Sequence, residues 1–118
     1  MIKLKRLTQK KCLPCEGHEK PLGPPKIREY LKELPFWKSS PDGKNISREF
    51  FMKNFMAGIR FINEVAKLAE KEGHHPDFHL TGYRKLKIEL STHAVGGLSE
   101  NDFIEAAKID QLPMELKT

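Results

Sequence analysis

Between residues 53 and 73 apolar side chains return every three or four positions. Phe55, Ile59, Ile62, Ala66 and Ala69 make one stripe, and Gly58, Phe61, Val65 and Leu68 make a second beside it. The spacing predicts a long helix with Gly73 as its C-cap, and an apolar face wider than one sheet needs. Such breadth suits a deeply buried central helix or one that also meets another subunit. After Pro76 the period falls to two: Leu86, Ile88 and Leu90 alternate with Lys85, Lys87 and Glu89, as in a strand with one buried and one wet face. A shorter strand over residues 78–80 is expected to pair with it across Thr81-Gly82. If the longer strand ran straight, parity would turn His93 away from the core. Gly96-Gly97 interrupts the alternation, and Ser99 to Asp102 reads S-x-x-D, the capping signature of a last helix running to about Leu112.

The first half of the chain carries weaker patterns. Pro24 and Pro25 stand where a helix can begin; Ile27, Tyr30, Leu31 and Leu34 recur at helical spacing, and Pro35 ends the run, predicting a short amphipathic helix over 26–34. Residues 36–39, with the only tryptophan, and 45–51, with Ile46, Arg48 and Phe50 on one side, flank the turn sequence S-P-D-G-K-N and predict a β-hairpin. Residues 1–25 are punctuated by proline and glycine and are expected to be an irregular N-terminal arm, with one domain over 26–118. The order α-β-β-α-β-β-α predicts an α+β fold, a four-stranded antiparallel sheet with helices packed on one face.

Composition narrows the function classes. A chain of 118 residues has room for one domain with one core. Its net charge of +5 comes from 21 basic and 16 acidic residues that are interspersed, whereas a nucleic-acid reader would gather its bases into a stripe, so no direct nucleic-acid partner is expected. No run reaches the roughly 18–20 apolar residues of a membrane span. Two cysteines build no disulfide framework, and the N-terminus lacks the apolar core of a secretory signal, so a reducing, cytoplasmic setting is expected. Cys12, Cys15 and His18 have the spacing of half a zinc site, but no second cysteine pair completes it; the expected state is reduced thiols in a loosely held arm.

Four of the five histidines, His74, His75, His79 and His93, lie in the stretch from Glu70 to Asp102. Imidazole titrates nearest neutrality, so this density points to proton transfer or to a metal. His74, His75, His93 and Asp102 are chemically suited to a metal, but Pro76 forbids a helical ligand pair of His75 with His79. General acid/base chemistry asks for less: one imidazolium to donate, one imidazole to accept and a carboxylate to orient them. The plainer roles are helix caps, the two histidines closing the long helix and Asp102 opening the last one.

The same stretch, with Glu70, His74-His75-Pro76, Tyr83, His93 and Asp102, and with S-T-H-A-V-G-G-L-S-E-N-D at its end, resembles the signature of the pterin-4a-carbinolamine dehydratases. The element order resembles theirs from about residue 26 to 112. One extra residue between H-H-P and the later histidine, the run G-H-H-P-D-x-H-L and the C-x-P-C lead-in are similar to the plant-like branch. That offset decides which of Phe78 and His79 faces inward, because one residue reverses side-chain facing in a strand. The resemblance implies dehydration of 4a-hydroxytetrahydropterin to quinonoid dihydropterin, recycling the pterin of aromatic amino acid hydroxylases with no cofactor and no metal. It implies His74, His75 and His93 as catalytic residues, Asp102 and Glu70 as orienting carboxylates, and Pro76, Phe78, Tyr83 and Thr92 as substrate contacts. It also implies a homodimer or homotetramer. A non-catalytic alternative, a dimerisation cofactor of a transcription factor docking through the long helix at 53–73, goes with animal members of that family.

Overall fold

Asn54 carries no apolar load and its carboxamide accepts the Ala57 N–H at 2.8 Å, so the long helix, α3 (Phe55–Glu72), opens on a side-chain cap. It closes at Gly73, whose φ of 68° is the left-handed turn that favours glycine. The computed structural model describes residues 4–13 and 20–118, and the other elements are α1 (Leu4–Gln9), α2 (Pro24–Leu31), β1 (Lys38–Ser39), β2 (Ile46–Phe51), β3 (Asp77–Thr81), β4 (Lys85–Leu90), a 3₁₀ turn (His93–Val95) and α4 (Glu100–Asp110).

The expected α+β architecture is present. The sheet runs β1-β2-β4-β3, every neighbouring pair antiparallel. Register explains which side chains go inside. Phe50 faces Leu86, Arg48 faces Ile88 and Ile46 faces Leu90 across β2 and β4, and all six are buried, whereas Glu49, Phe51 and Lys85 on the other side are exposed. Only one face of the sheet is apolar, so the helices gather there.

Of the two stripes on α3, the one through Gly58, Phe61 and Val65 enters the core, with Ala57 and Ala69 beside it. Phe61 meets Phe50 with ring centroids 5.0 Å apart. The other stripe is only partly covered: Phe55 is exposed, as is Met56 beside it, and Ile59, Ile62 and Ala66 are half-buried. Arg48, a charge on the core side of β2, pairs with Asp110 at 2.6 Å, and Asp110 also accepts the Trp37 indole N–H at 2.9 Å. The guanidinium lies over the Phe36 and Phe50 rings, which bury it without leaving it unpaired.

The lead-in differs from the irregular arm expected. Leu4–Gln9 is helical, Leu7 is buried in the main core, and Cys12 is buried with it. Six residues are too few to display a helical period, and what holds them is tertiary: Lys10 bonds Glu100 at 2.7 Å, and the Asn101 carboxamide bonds the backbone of Leu13 in both directions, at 3.0 and 2.7 Å. Cys15 and His18 lie outside the described residues. The far end of the chain also folds back, the Lys53 N–H bonding the Glu115 carbonyl and Arg60 gripping the Glu115 carboxylate through two nitrogens.

Candidate active site

The left-handed turn at Gly73 throws His74 and His75 off the end of α3, and Pro76 then forbids a return to helix before β3 begins. On the next strand β4 ends at Leu90, and Thr92 bridges to Gly97, the Thr92 N–H donating to the Gly97 carbonyl at 2.7 Å. The closed loop between them is the 3₁₀ turn that begins at His93. His93 is exposed, as parity suggested, but in this turn and not on a straight strand. Because Asp77 pairs with Glu89, the start of β3 lies beside the end of β4, and the two histidine-bearing segments arrive side by side.

The loop leaves no room for a side chain at Gly97, where an added Cβ would lie 2.9 Å from Pro21 Cβ. Gly97→Ala is therefore expected to cost about 1–3 kcal/mol, by forcing the proline or the Thr92 bridge to move. A urea-denaturation midpoint equal to the parent's would refute this.

Asp102 anchors the site. Its carboxylate is fully buried; Oδ1 lies 2.6 Å from His74 Nε2, and Oδ2 accepts the Thr92 hydroxyl at 2.8 Å and the Ser99 N–H at 3.0 Å. The last bond caps α4, so the capping role and the histidine-orienting role fall on one carboxylate. His74 is almost covered, with 11% of its side chain exposed. Burial alone would lower its pKa, but the hydrogen bond and charge of Asp102, with help from Glu105, outweigh burial and hold it above the usual histidine value. Only Nε2 is engaged, and Nδ1 bonds no described residue.

His75 pairs with Glu70 at 2.6 Å, but with 63% and 79% of the side chains exposed the pair orients more than it stabilises. His74, His75, Thr92 and His93 line one depression of about 280 Å³, with Ser91, Ala94, Asn101 and Leu13. A second depression of similar volume shares Ser91, Thr92 and His93 with the first and is lined by Lys44 and Asn45 as well.

Pro76, Phe78 and Tyr83 do not line this depression. Phe78 pairs with Ile88 on the core face and is half-buried, while His79 takes the wet face and pairs with Glu89 at 2.6 Å. Tyr83, at a φ of 56°, forms the tip of the β3–β4 hairpin, about 16 Å of strand from the histidine end. Sequence reasoning missed Asn101, Glu72 and Glu105. Glu105 lies three residues after Asp102 on the same face of α4, so helical spacing from that aspartate was a signal for its position, though not for its burial. Among the described residues, no group of three His, Cys, Asp or Glu side chains is placed to hold a metal ion, and no helix is long and apolar enough to cross a membrane.

An α+β layer carrying a histidine–carboxylate depression between a helix end and a strand end is the arrangement that comparison with known proteins defines further. Residues 20–112 match the family model described as pterin 4 alpha carbinolamine dehydratase. A protein of Nitrosospira multiformis, provisionally named for that activity, is 47% identical over 90% of this chain and 91% of its own. Pterin-4-alpha-carbinolamine dehydratase 2, mitochondrial, of Arabidopsis thaliana is 42% identical over 92% of this chain and 60% of the plant protein. The crystal structure of a transcriptional coactivator/pterin dehydratase from Brucella melitensis superposes with a TM-score of 0.71 at 30% identity, over 77% of this chain and 96% of that one. The chain belongs to the pterin-4a-carbinolamine dehydratase family, a family of hydro-lyases.

Proposed function

We propose that this protein dehydrates 4a-hydroxytetrahydropterin to quinonoid dihydropterin by histidine general acid/base catalysis. The observation that carries the reading is the convergence of His74, His75 and His93 on one depression, with His74 held by the buried Asp102. The reaction is an elimination: the C4a hydroxyl takes a proton and leaves as water, N5 gives up its proton, and the N5 electrons form the C4a=N5 bond. One group must donate and another accept, and both must reach the ring.

His74 and His93 face opposite sides of the ring in this reading, and exchange the acid and base roles according to which face carries the hydroxyl. The Nδ1 edge of His74 does the transfer, because Nε2 is committed to Asp102. His75 binds and polarises the ring, kept in place by Glu70. Thr92, whose hydroxyl helps to fix Asp102, is the one expected substrate contact at the depression in a single chain. The product would return the spent pterin of aromatic amino acid hydroxylases to use. Stopped-flow dehydration of the carbinolamine tests the reading: the wild-type protein should exceed the spontaneous rate, and a rate equal to the spontaneous one sinks it.

We infer self-association through the half-covered stripe of α3, Phe55, Ile59 and Ile62, with the exposed Met56 beside it. Analytical ultracentrifugation should find a dimer or tetramer; a monomer at micromolar concentration refutes this and reopens the non-catalytic reading, in which that surface binds another protein. The Brucella protein, named a transcriptional coactivator as well as a dehydratase, is the relative that favours this second reading. A cytoplasmic setting suits Cys12, a buried free thiol; a fluorescent fusion of the full-length gene product appearing in an organelle would refute it.

A further inference from the structure

Behind the His74–Asp102 pair lies a carboxyl group that the chemistry above does not use. Glu105 follows Asp102 by three residues on α4, the spacing that sets side chains on one helix face, and it is fully buried. Neither of its carboxyl oxygens has a hydrogen-bond partner among the described residues.

The charged and titratable groups facing it come from three segments. Asp102 and Lys108 share its helix, Glu72 and His74 come from the end of α3 and just beyond, and Cys12 comes from the lead-in. The one ammonium group among them is already committed: Lys108 donates to Glu72 at 2.7 Å, and Glu72 also accepts the Cys12 N–H at 2.9 Å. Cys12 remains a neutral thiol, its pKa pushed up to about 12 by burial and then by Glu105 and Glu72. Three carboxyl groups thus share two cationic partners, Lys108 and His74. An ionised carboxylate with no hydrogen bond in a dry interior is costly, so Glu105 is the one that keeps a proton. Burial raises its pKa to about 8; His74 and Lys108 pull it down, and Glu72 and Asp102 push it up.

We propose that Glu105 is a positioning residue of this site, a buried acid, unpaired behind the His74–Asp102 pair, that titrates jointly with His74 and lets the imidazole keep its proton to higher pH than Asp102 alone would, a role that rests on the acid/base reading above. The coupling is reciprocal, as it must be: Glu105 favours the imidazolium of His74, and that imidazolium favours ionisation of Glu105. When Glu105 releases its proton, a second negative charge joins Asp102 behind the ring, and His74 remains a competent acid at a pH where Asp102 alone would have let it go.

The test is an NMR titration of the full-length protein, following the His74 ring and the Glu105 carboxyl carbon. It is run on wild type, Glu105→Gln and Glu105→Leu, beside kcat/KM against pH. In the wild type the His74 signal should move in two steps, the second tracking the Glu105 carboxyl; this needs no variant. In both variants a single step at a lower midpoint is expected, and the alkaline limb of kcat/KM should move to lower pH while the acid limb stays. A single wild-type step independent of the Glu105 signal overturns the proposal, as does a midpoint that moves only with leucine, which would mark a packing role. Joint titration in a protein that does not accelerate dehydration would reject the proposed function and leave the coupling standing.

Discussion

Replacing His74 and His93 together by alanine is expected to return the dehydration to its spontaneous rate, while His93→Ala alone leaves a crippled but measurable enzyme. Each positioned acid or base supplies on the order of 10²–10⁴ in rate, so one loss is survivable and two are not. The two positions differ in structural cost. His93 is exposed at the start of a 3₁₀ turn, and its removal unpacks nothing. His74 covers the buried Asp102, which would keep only the Thr92 and Ser99 donors. His74→Gln, which can still donate to Oδ1, is therefore the companion variant: folded by circular dichroism yet as slow as His74→Ala, it assigns the loss to proton transfer. Restored activity in His74→Gln would assign it to a merely structural bond.

Glu105→Leu is expected to stabilise the protein, and to do so more as pH rises. An acid whose pKa is higher in the folded than in the unfolded chain binds more protons when folded, so its penalty is absent below the unfolded value of 4.5 and grows as pH rises toward the folded value of about 8. At pH 7 the distance above 4.5 is about 2.5 units, or about 3 kcal/mol at 1.36 kcal/mol per unit. His74 is present in both proteins: with its raised folded pKa it contributes stability below about 6.5 that is lost as pH climbs through the folded value, a loss that the two share, so the difference between them reports on Glu105. Urea unfolding of wild type and Glu105→Leu at pH 5 and pH 8 should show a gap that widens with pH. A gap that is constant, or that favours wild type at pH 8, would mean that Glu105 is ionised and paired in the folded state.

The two periodicities were legible because they report burial directly. The stripe of α3 and the alternation of β4 are what a half-buried helix and a half-wet strand require, and both lie where the pattern placed them. The helix at Leu4–Gln9 was not legible: it is too short for a period, and it is held by contacts with α4 some ninety residues away in sequence. The direction of Phe78 also needed the register, since its pairing with Ile88 decides that it packs inward and His79 outward. At the candidate site, histidine density and the S-x-x-D signature singled out His74, His93 and Asp102, which the fold brings near one another. Glu72 and Glu105 escaped because a carboxylate on a helix is ordinarily a solvated face, and only tertiary structure shows these two to be buried.

The most direct measurement is single-turnover dehydration of the two C4a epimers of the carbinolamine, prepared separately, by His74→Ala and by His93→Ala. If the two imidazoles work from opposite faces of the ring, each variant should lose more rate on one epimer than on the other, and the preference should reverse between the variants. Equal losses on both epimers in both variants would contradict two-faced acid/base catalysis at this depression.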